Sequence, residues 1–368
     1  MLLRIALVHD YLNEFGGAER VLKVLSDMYP EAPIYTAFVV KSSSAHKVFK
    51  DRKIIESSLA PILKFHKLYS PLRFLAPQIW GSFNFTGFDV VISSASWYIT
   101  KGIKVPKTCK HICYCHTPPR FLYGFETSIE WQRYFWVRLY ARLVNSYLKK
   151  YDFQAAQTVD QFVVNSENVQ QRVRQFYGKS AEIIYPPINS REIIKKTKGL
   201  KKQDYYLIVS RIVGSKGIDM AMKVFSDLKL PLKIVGEKAG LRWEDQKIEK
   251  LKAANIEFLG RLSDEKLWQI YAKAKGFLAL ARDEDFGMTL VEAQAAGTPV
   301  LAFYGGGYKE TVVDSKTGLF FHSYHEDSLK QAVQTFEQMN FKKETLQTNA
   351  LKFDQEIFKK QIKRLVDA

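Results

Sequence analysis

Cysteine is scarce, with three among 368 residues. So small and odd a number builds no disulfide framework and suits a reducing compartment. Long apolar runs are missing too, since no stretch approaches the roughly 18–20 residues that cross a bilayer. The opening run from Met1 to Val8 is too short for a signal peptide and passes straight into His9-Asp10. These absences disfavour a secreted or an integral membrane protein and predict a cytoplasmic one. Proline is held to 12 residues and no low-complexity tract is present, which argues against extended disorder. Acid is short relative to base, with 38 Asp and Glu against 55 Lys and Arg, a net charge of +17.

What is present supports a large folded chain. Hydrophobic residues make up 46%, and the length predicts two domains. Up to residue 190 there are 24 basic and 14 acidic residues, net +10, and the remaining 31 and 24 give +7. The positive excess is thus spread over folded sequence rather than kept in a tail. Such a surface favours anionic partners: nucleotides, phosphates, acidic lipid or nucleic acid.

Leu3–His9 is an almost continuous apolar run, as expected of a strand covered on both faces. Gly16-Gly17 and a helical pattern follow. Further strands are predicted at Ala32–Val39, Asp89–Ser93, His111–Cys115 and Gln161–Asn165, with Ser166 as a helix cap. A second series begins after Tyr185-Pro186-Pro187 and a lysine-rich run to Asp204. Its strands are Tyr205–Ser210, Leu232–Val235, Ile256–Leu259, Gly276–Ala281 and Pro299–Phe303, with helices between them. Strands alternating with helices predict parallel, doubly wound sheets. The last segment, Phe353–Val366, repeats apolar residues at helical spacing.

Ligands of open α/β sheets bind beyond the carboxyl ends of the strands, so the loops there carry the candidate chemistry. In the second half, Arg211 and Lys216 leave one strand end; two cations can hold a pyrophosphate, or simply be solvated. Another strand runs into Arg282-Asp-Glu-Asp-Phe-Gly287, which places Glu284 in a loop and Glu292 one turn into the next helix. Paired carboxylates accept hydrogen bonds from sugar hydroxyls, although surface acids are common. Tyr304-Gly-Gly-Gly307 is either a plain turn or a cradle of backbone amides. In the first half, Gly16-Gly17 can approach a phosphate, and His116 ends a strand before Thr117-Pro118-Pro119. It is either a site residue or a satisfied core histidine. Cys109, His111, Cys113 and Cys115 alternate along one strand. Ligands so placed spread over about 20 Å and cannot close a zinc tetrahedron, so no metal site is expected. Two stretches interleave aromatic and basic residues: Pro61–Phe85 with Lys64, Lys67 and Arg73, and Ile129–Lys150 with Trp136, Tyr140, Leu143, Tyr147, Arg133, Arg138 and Arg142. They read as core helices with basic outer faces or as a surface meeting anionic lipid.

Taken together the motifs resemble the retaining GT-B glycosyltransferases of family 4, in the family's order and over nearly the whole chain. The residues that carry this are Gly16-Gly17-Ala18-Glu19-Arg20, Ser210-Arg211 through Lys216-Gly217-Ile218-Asp219, Phe258-Leu-Gly-Arg261, the E-x7-E motif from Glu284 to Glu292, and Gly306-Gly307 with Glu310-Thr-Val. A narrower resemblance, to bacterial GDP-mannose-dependent mannosyltransferases of polysaccharide and O-antigen assembly, rests on Tyr114-Cys-His-Thr-Pro118, Val164-Asn-Ser166, Ile184-Tyr-Pro-Pro187 and Glu292–Gly297. The Arg211–Lys216 stretch departs from that subgroup's pattern.

The resemblance implies an α/β GT-B architecture of two Rossmann-like domains facing across a cleft. Residues 1–186 would form the acceptor-side domain, 187–351 the nucleotide-sugar domain, and 352–368 a helix crossing back to the first. It implies that Arg211 and Lys216 hold the donor diphosphate, with Gly16 and Gly17 approaching from the other domain. Glu292 would bind the ribose, Glu284 with Asp285, Phe286, Gly287 and Met288 the sugar or its phosphate, and His116 the reacting sugar. No cofactor or metal is implied, because cations and helix ends can stabilise the leaving diphosphate. The expected reaction moves mannose from GDP-mannose, with retention, to a lipid-linked or oligosaccharide acceptor. The enzyme would sit peripherally on the anionic inner face of the cell membrane. A UDP-sugar donor on the same scaffold is the alternative. A nucleic-acid-binding protein is the remote one, and it leaves the spaced carboxylates unexplained.

Overall fold

The computed structural model describes residues 3–65, 68–126, 135–238 and 247–368. The chain divides into two compact units. The first comprises residues 1–125, 131–187 and 358–368, and the second residues 126–130 and 188–357.

In the first unit, β1 (Ile5–His9), β2 (Ile34–Thr36), β3 (Ile54–Glu56), β4 (Val90–Ala95), β5 (Lys110–Cys115), β6 (Gln161–Val164) and β7 (Ala181–Ile183) form one sheet in the order β3-β2-β1-β4-β5-β6-β7. Every pairing is parallel, with Leu7 opposite both Ile34 and Ile92. All of β1 is buried, as its unbroken apolar run requires for a central strand covered on both faces. The order reverses between β1 and β4, so the loops after these two strands flank the sheet's switch point.

The second unit repeats the plan. Its strands β8 (Tyr206–Val209), β9 (Leu232–Val235), β10 (Ile256–Gly260), β11 (Gly276–Ala279), β12 (Val300–Phe303) and β13 (Gly318–Phe321) lie in the order β10-β9-β8-β11-β12-β13. The switch point here falls between β8 and β11. Both sheets are Rossmann-like, as the alternation of strands and helices predicts.

Two features tie down the first unit. Phe358, Ile362, Leu365 and Val366 of the helix Gln355–Asp367 are buried in the core that also holds Ile112 and Tyr114. Their i, i+4, i+7, i+8 spacing gives one apolar stripe, and Phe358 packs edge-on to Tyr114. Deeper in, Lys101 pairs with Asp152, and both are fully buried. The hydroxyls of Tyr123 and Tyr177 donate to the second Asp152 oxygen at 2.8 and 2.7 Å. This satisfied ion pair anchors the helix Phe135–Gln157 to the segment following β4.

No helix among the described residues is long and apolar enough to cross a membrane. Cys109, Cys113 and Cys115 are all free and buried. Burial pushes the thiols of Cys109 and Cys113 up to about 11, so both stay protonated. Of the first aromatic-basic stretch, Trp80 is wholly buried and Lys64 pairs with Glu56 at 2.9 Å. Arg73 is half-buried, bonded to Asn145 at 3.2 Å and stacked over Phe121 and Tyr140. The reading of that stretch as a lipid-facing surface is thereby corrected for Trp80, which serves packing. Lys67, Arg133 and the start of the second stretch lie outside the described residues.

Candidate active site

The carboxyl edge of the second sheet gathers opposite charges. After β8 a short 3-10 turn, Gly214–Lys216, leads into the helix Ile218–Leu228. It brings the Lys216 ammonium to 2.5 Å from an Oε atom of Glu284, in the loop after β11. Both side chains are about a quarter exposed, 23% and 24%, so the pair sits at a solvent-reachable rim. Arg211 lies exposed on the same loop as Lys216. The buried Tyr308 hydroxyl reaches the same Glu284 oxygen at 3.4 Å. Burial, reinforced by that carboxylate, holds the Tyr308 phenol far above its usual range, so it stays protonated.

The glycines of this edge have a packing role. Gly307 donates its amide to the Glu284 carbonyl at 2.8 Å. A side chain at Gly306 would strike that carbonyl, at 2.2 Å, and one at Gly307 would meet the Asp285 carbonyl at 2.4 Å. The Gly305–Gly307 segment is therefore the bed on which the Glu284 loop lies. Gly287 has φ +94°, in the left-handed region, and caps the helix Met288–Ala295. Asp285 and Met288 are half-buried on either side of it. Phe286 is buried edge-on to Phe353 at 5.4 Å. Glu292 faces inward: it is 4% exposed and accepts the Tyr271 hydroxyl at 3.1 Å. Glu284 and Glu292 thus have different neighbours. The partners Tyr271 and Tyr308 carry no local sequence signal, because each reaches its glutamate from another helix.

The first sheet's edge is arranged differently. His116 follows β5 and is buried. Burial, with a smaller contribution from His9, holds its imidazole down to about 3, so it is neutral near pH 7. Its Nε2 lies 2.8 Å from Ser94 Oγ, and the same oxygen lies 3.0 Å from His9 Nδ1. His9 Nε2 is 3.3 Å from Glu19 Oε1, while Glu19 Oε2 accepts the Gly16 amide at 2.9 Å. Gly16 is the N-cap and Gly17 the first residue of the helix Gly17–Met28. The Gly16 amide is thus already engaged by Glu19. No group of three or more His, Cys, Asp or Glu among the described residues is arranged to hold a metal ion.

Two family models match the chain one after the other. Glycosyltransferase Family 4 matches residues 15–192, and Glycosyl transferases group 1 matches residues 189–353. Both halves of the chain thus match glycosyltransferase models, and the two Rossmann-like sheets are of the kind that builds the GT-B fold. An uncharacterised glycosyltransferase of Methanocaldococcus jannaschii is 28% identical over 194 residues, 52% of this chain and 54% of the relative. The GtfA subunit of a UDP-N-acetylglucosamine–peptide N-acetylglucosaminyltransferase of Streptococcus parasanguinis is 26% identical over 206 residues, 53% of this chain and 40% of the relative. The chain spans about half the length of these curated relatives. Anabaena HepE in complex with UDP-glucose has the same fold, with TM-score 0.71, 17% identity and 99% of each chain covered.

Proposed function

We propose that the chain is a retaining glycosyltransferase that takes its sugar from a nucleotide diphosphate sugar, with uridine rather than guanosine as the base. The carrying observation is the Lys216–Glu284 pair at the edge of the second sheet. A bound diphosphate replaces Glu284 as the partner of Lys216 and adds Arg211, whose planar fork suits two phosphate oxygens. The freed carboxylate then accepts hydroxyl protons of the sugar, with the backbone of Asp285 to Met288 beside it. Glu292 is assigned to the ribose, Gly16 and Gly17 to the diphosphate, and His116 to the sugar. The uridine preference draws support from Anabaena HepE, described with UDP-glucose, and from the streptococcal relative named for UDP-N-acetylglucosamine.

Retention follows from a front-face reaction. The bond from anomeric carbon to diphosphate oxygen breaks as the acceptor oxygen bonds to the same face. The leaving diphosphate, its charge stabilised by Arg211 and Lys216, takes the acceptor's proton. His116 is too weak a base to be the proton's destination and acts by orienting the sugar. No glycosyl-enzyme is formed, which mass spectrometry of enzyme with donor alone checks. The base is tested by thermal shift with UDP, GDP, ADP and their sugars. A selective UDP response is expected. A selective GDP response would return the donor to GDP-mannose, and silence toward all of them would overturn the donor site.

The acceptor is assigned as a lipid-linked or oligosaccharide chain of polysaccharide synthesis, reached at an acidic membrane surface. The helix Phe135–Gln157 supports this. It exposes Trp136 and Leu143, 75% and 68% accessible, on a segment that also carries Arg138, Arg142, Lys149 and Lys150. Each basic residue near an anionic surface adds about 1 kcal/mol. Liposome binding should need acidic lipid, weaken with salt, and drop when Trp136 and Leu143 become Ser; equal binding to neutral vesicles would refute it.

A further inference from the structure

We propose that Glu19, His9 and Ser94 are positioning residues for His116, forming a one-way hydrogen-bond chain that fixes which ring nitrogen of His116 carries the proton. The significance for sugar transfer rests on the function proposed above; the chain itself does not.

The four side chains come from separate parts of the sequence and meet through the fold. His9 ends β1 and is the register partner of Ser94 in β4. Ser94 is in turn the partner of Tyr114 in β5, two residues before His116. Glu19 sits in the first turn of the helix Gly17–Met28. The backbone of His116 is pinned on both sides: its amide donates to the Ala95 carbonyl at 2.9 Å, and its carbonyl accepts from Asn165 at 2.9 Å. His9 and Ser94 are 2% and 1% exposed, so water does not compete for these bonds.

The direction of the chain follows from what each group can do. A carboxylate only accepts, so His9 Nε2 carries the proton that points to Glu19. A neutral His9 ring has that one proton alone. Its Nδ1 is then an acceptor and must receive the Ser94 hydroxyl proton. Ser94 Oγ has only lone pairs left, so it accepts from His116 Nε2–H. His116 Nδ1 is left without a proton, as an acceptor. A neutral imidazole in this tautomer takes a hydrogen bond from a hydroxyl and gives none. That is the polarity needed to orient a sugar hydroxyl. Glu19 also caps the glycine loop through the Gly16 amide, so one residue sets both the loop and the tautomer.

The test is 15N NMR of histidine-labelled full-length protein near pH 7.5, without ligand. His116 should appear as the single Nε2–H tautomer, with Nδ1 in the unprotonated range. Ser94→Ala, which removes only an oxygen, should give a mixture of tautomers, and Glu19→Ala should do the same through His9. A wild-type Nδ1–H tautomer, or a His116 signal unmoved by both variants, overturns the proposal. With a turned-over sugar nucleotide in hand, Ser94→Ala should lower kcat roughly 10- to 100-fold and leave donor KM within about twofold. An unchanged kcat would overturn the positioning role. If the tautomer result holds while the wild-type protein transfers sugar from no nucleotide sugar, the functional reading fails and the chain of bonds stands.

Discussion

The two sheets share a topology and handle charge at their carboxyl edges in opposite ways. The first edge is dry. Its histidines are buried, the His116 ring is kept neutral, and Glu19, His9, Ser94 and His116 Nε2 are bonded to one another inside the same unit. The second edge is wet and charged. Lys216 and Glu284 face each other at a rim that solvent reaches, and Arg211 is exposed on the same loop. A dry, internally bonded edge fixes geometry but offers little to a highly charged ligand. On the proposed function the charged rim binds an anion, and the lysine's partner in the structure is a carboxylate that must first let go. On the proposed function the same scaffold supplies an orienting half and a binding half, and the loop residues decide which is which.

The largest consequence is in acid. His111 and His116 are held down to about 4 and about 3, in each case first by burial, from an ordinary value of 6.5. His111 is further lowered by Lys101 against an opposing pull from Asp160. Both folded values are depressed, so the unfolded chain binds more protons below pH 6.5. The stability they protect is complete above that pH and drains as pH falls toward 4. Two such groups cost the first unit roughly 3–5 kcal/mol between pH 7 and pH 5. Hydrogen exchange of the whole chain, corrected for intrinsic rates, should show β4 and β5 opening on acidification before β8 and β11. Equal loss in both units would break the comparison.

This contrast was only partly legible in the sequence. The doubly wound class was readable because buried central strands such as β1 and β8 are continuous apolar runs. The strands that left no clear mark are β3, β7 and β13, all at sheet edges. β3 and β7 are three residues long and half-buried, so neither apolar continuity nor alternation has room to appear. Loop positions were legible for the same reason as the strands that precede them. What each loop residue touches was not. Nothing near Glu284 announces Tyr308, and nothing near His116 announces His9, 107 positions earlier. The three glycines after β12 read equally as cradle or turn, and only the close approach of the Arg282, Glu284 and Asp285 carbonyls explains them.

The next effect separates the two edges by ligand. Lys216→Ala or Arg211→Ala should weaken UDP by about 1.5–3 kcal/mol, roughly 10- to 100-fold, and leave uridine nearly unaffected. His116→Ala should do the reverse, keeping UDP affinity and losing turnover. Calorimetry of UDP against uridine, set beside kcat, reads both. Equal losses of uridine and UDP in the lysine variant would remove the diphosphate from this rim.

The smallest effect has the opposite sign. Glu284 pairs with Lys216 in the structure, and on the proposed function a diphosphate must displace it. Solvent-exposed pairs contribute about 0.2–1 kcal/mol, and this one is three-quarters shielded, which puts it at the upper end. Glu284→Gln removes the competitor and a negative charge beside an anionic ligand, while keeping size and hydrogen-bonding capacity. UDP should therefore bind about two- to fivefold more tightly. Turnover of the sugar nucleotide should fall, because the amide is a weaker acceptor for sugar hydroxyls than the carboxylate. The gain must come through Lys216, so in a Lys216→Ala background the same substitution should change UDP affinity far less. That non-additivity is the signature of direct coupling. Tighter binding that persists without Lys216 would mean that Glu284 repels the ligand by itself and that the ion pair is incidental. Weaker binding in Glu284→Gln would mean that the carboxylate belongs to the nucleotide site, and the picture of a self-neutralised rim would be wrong.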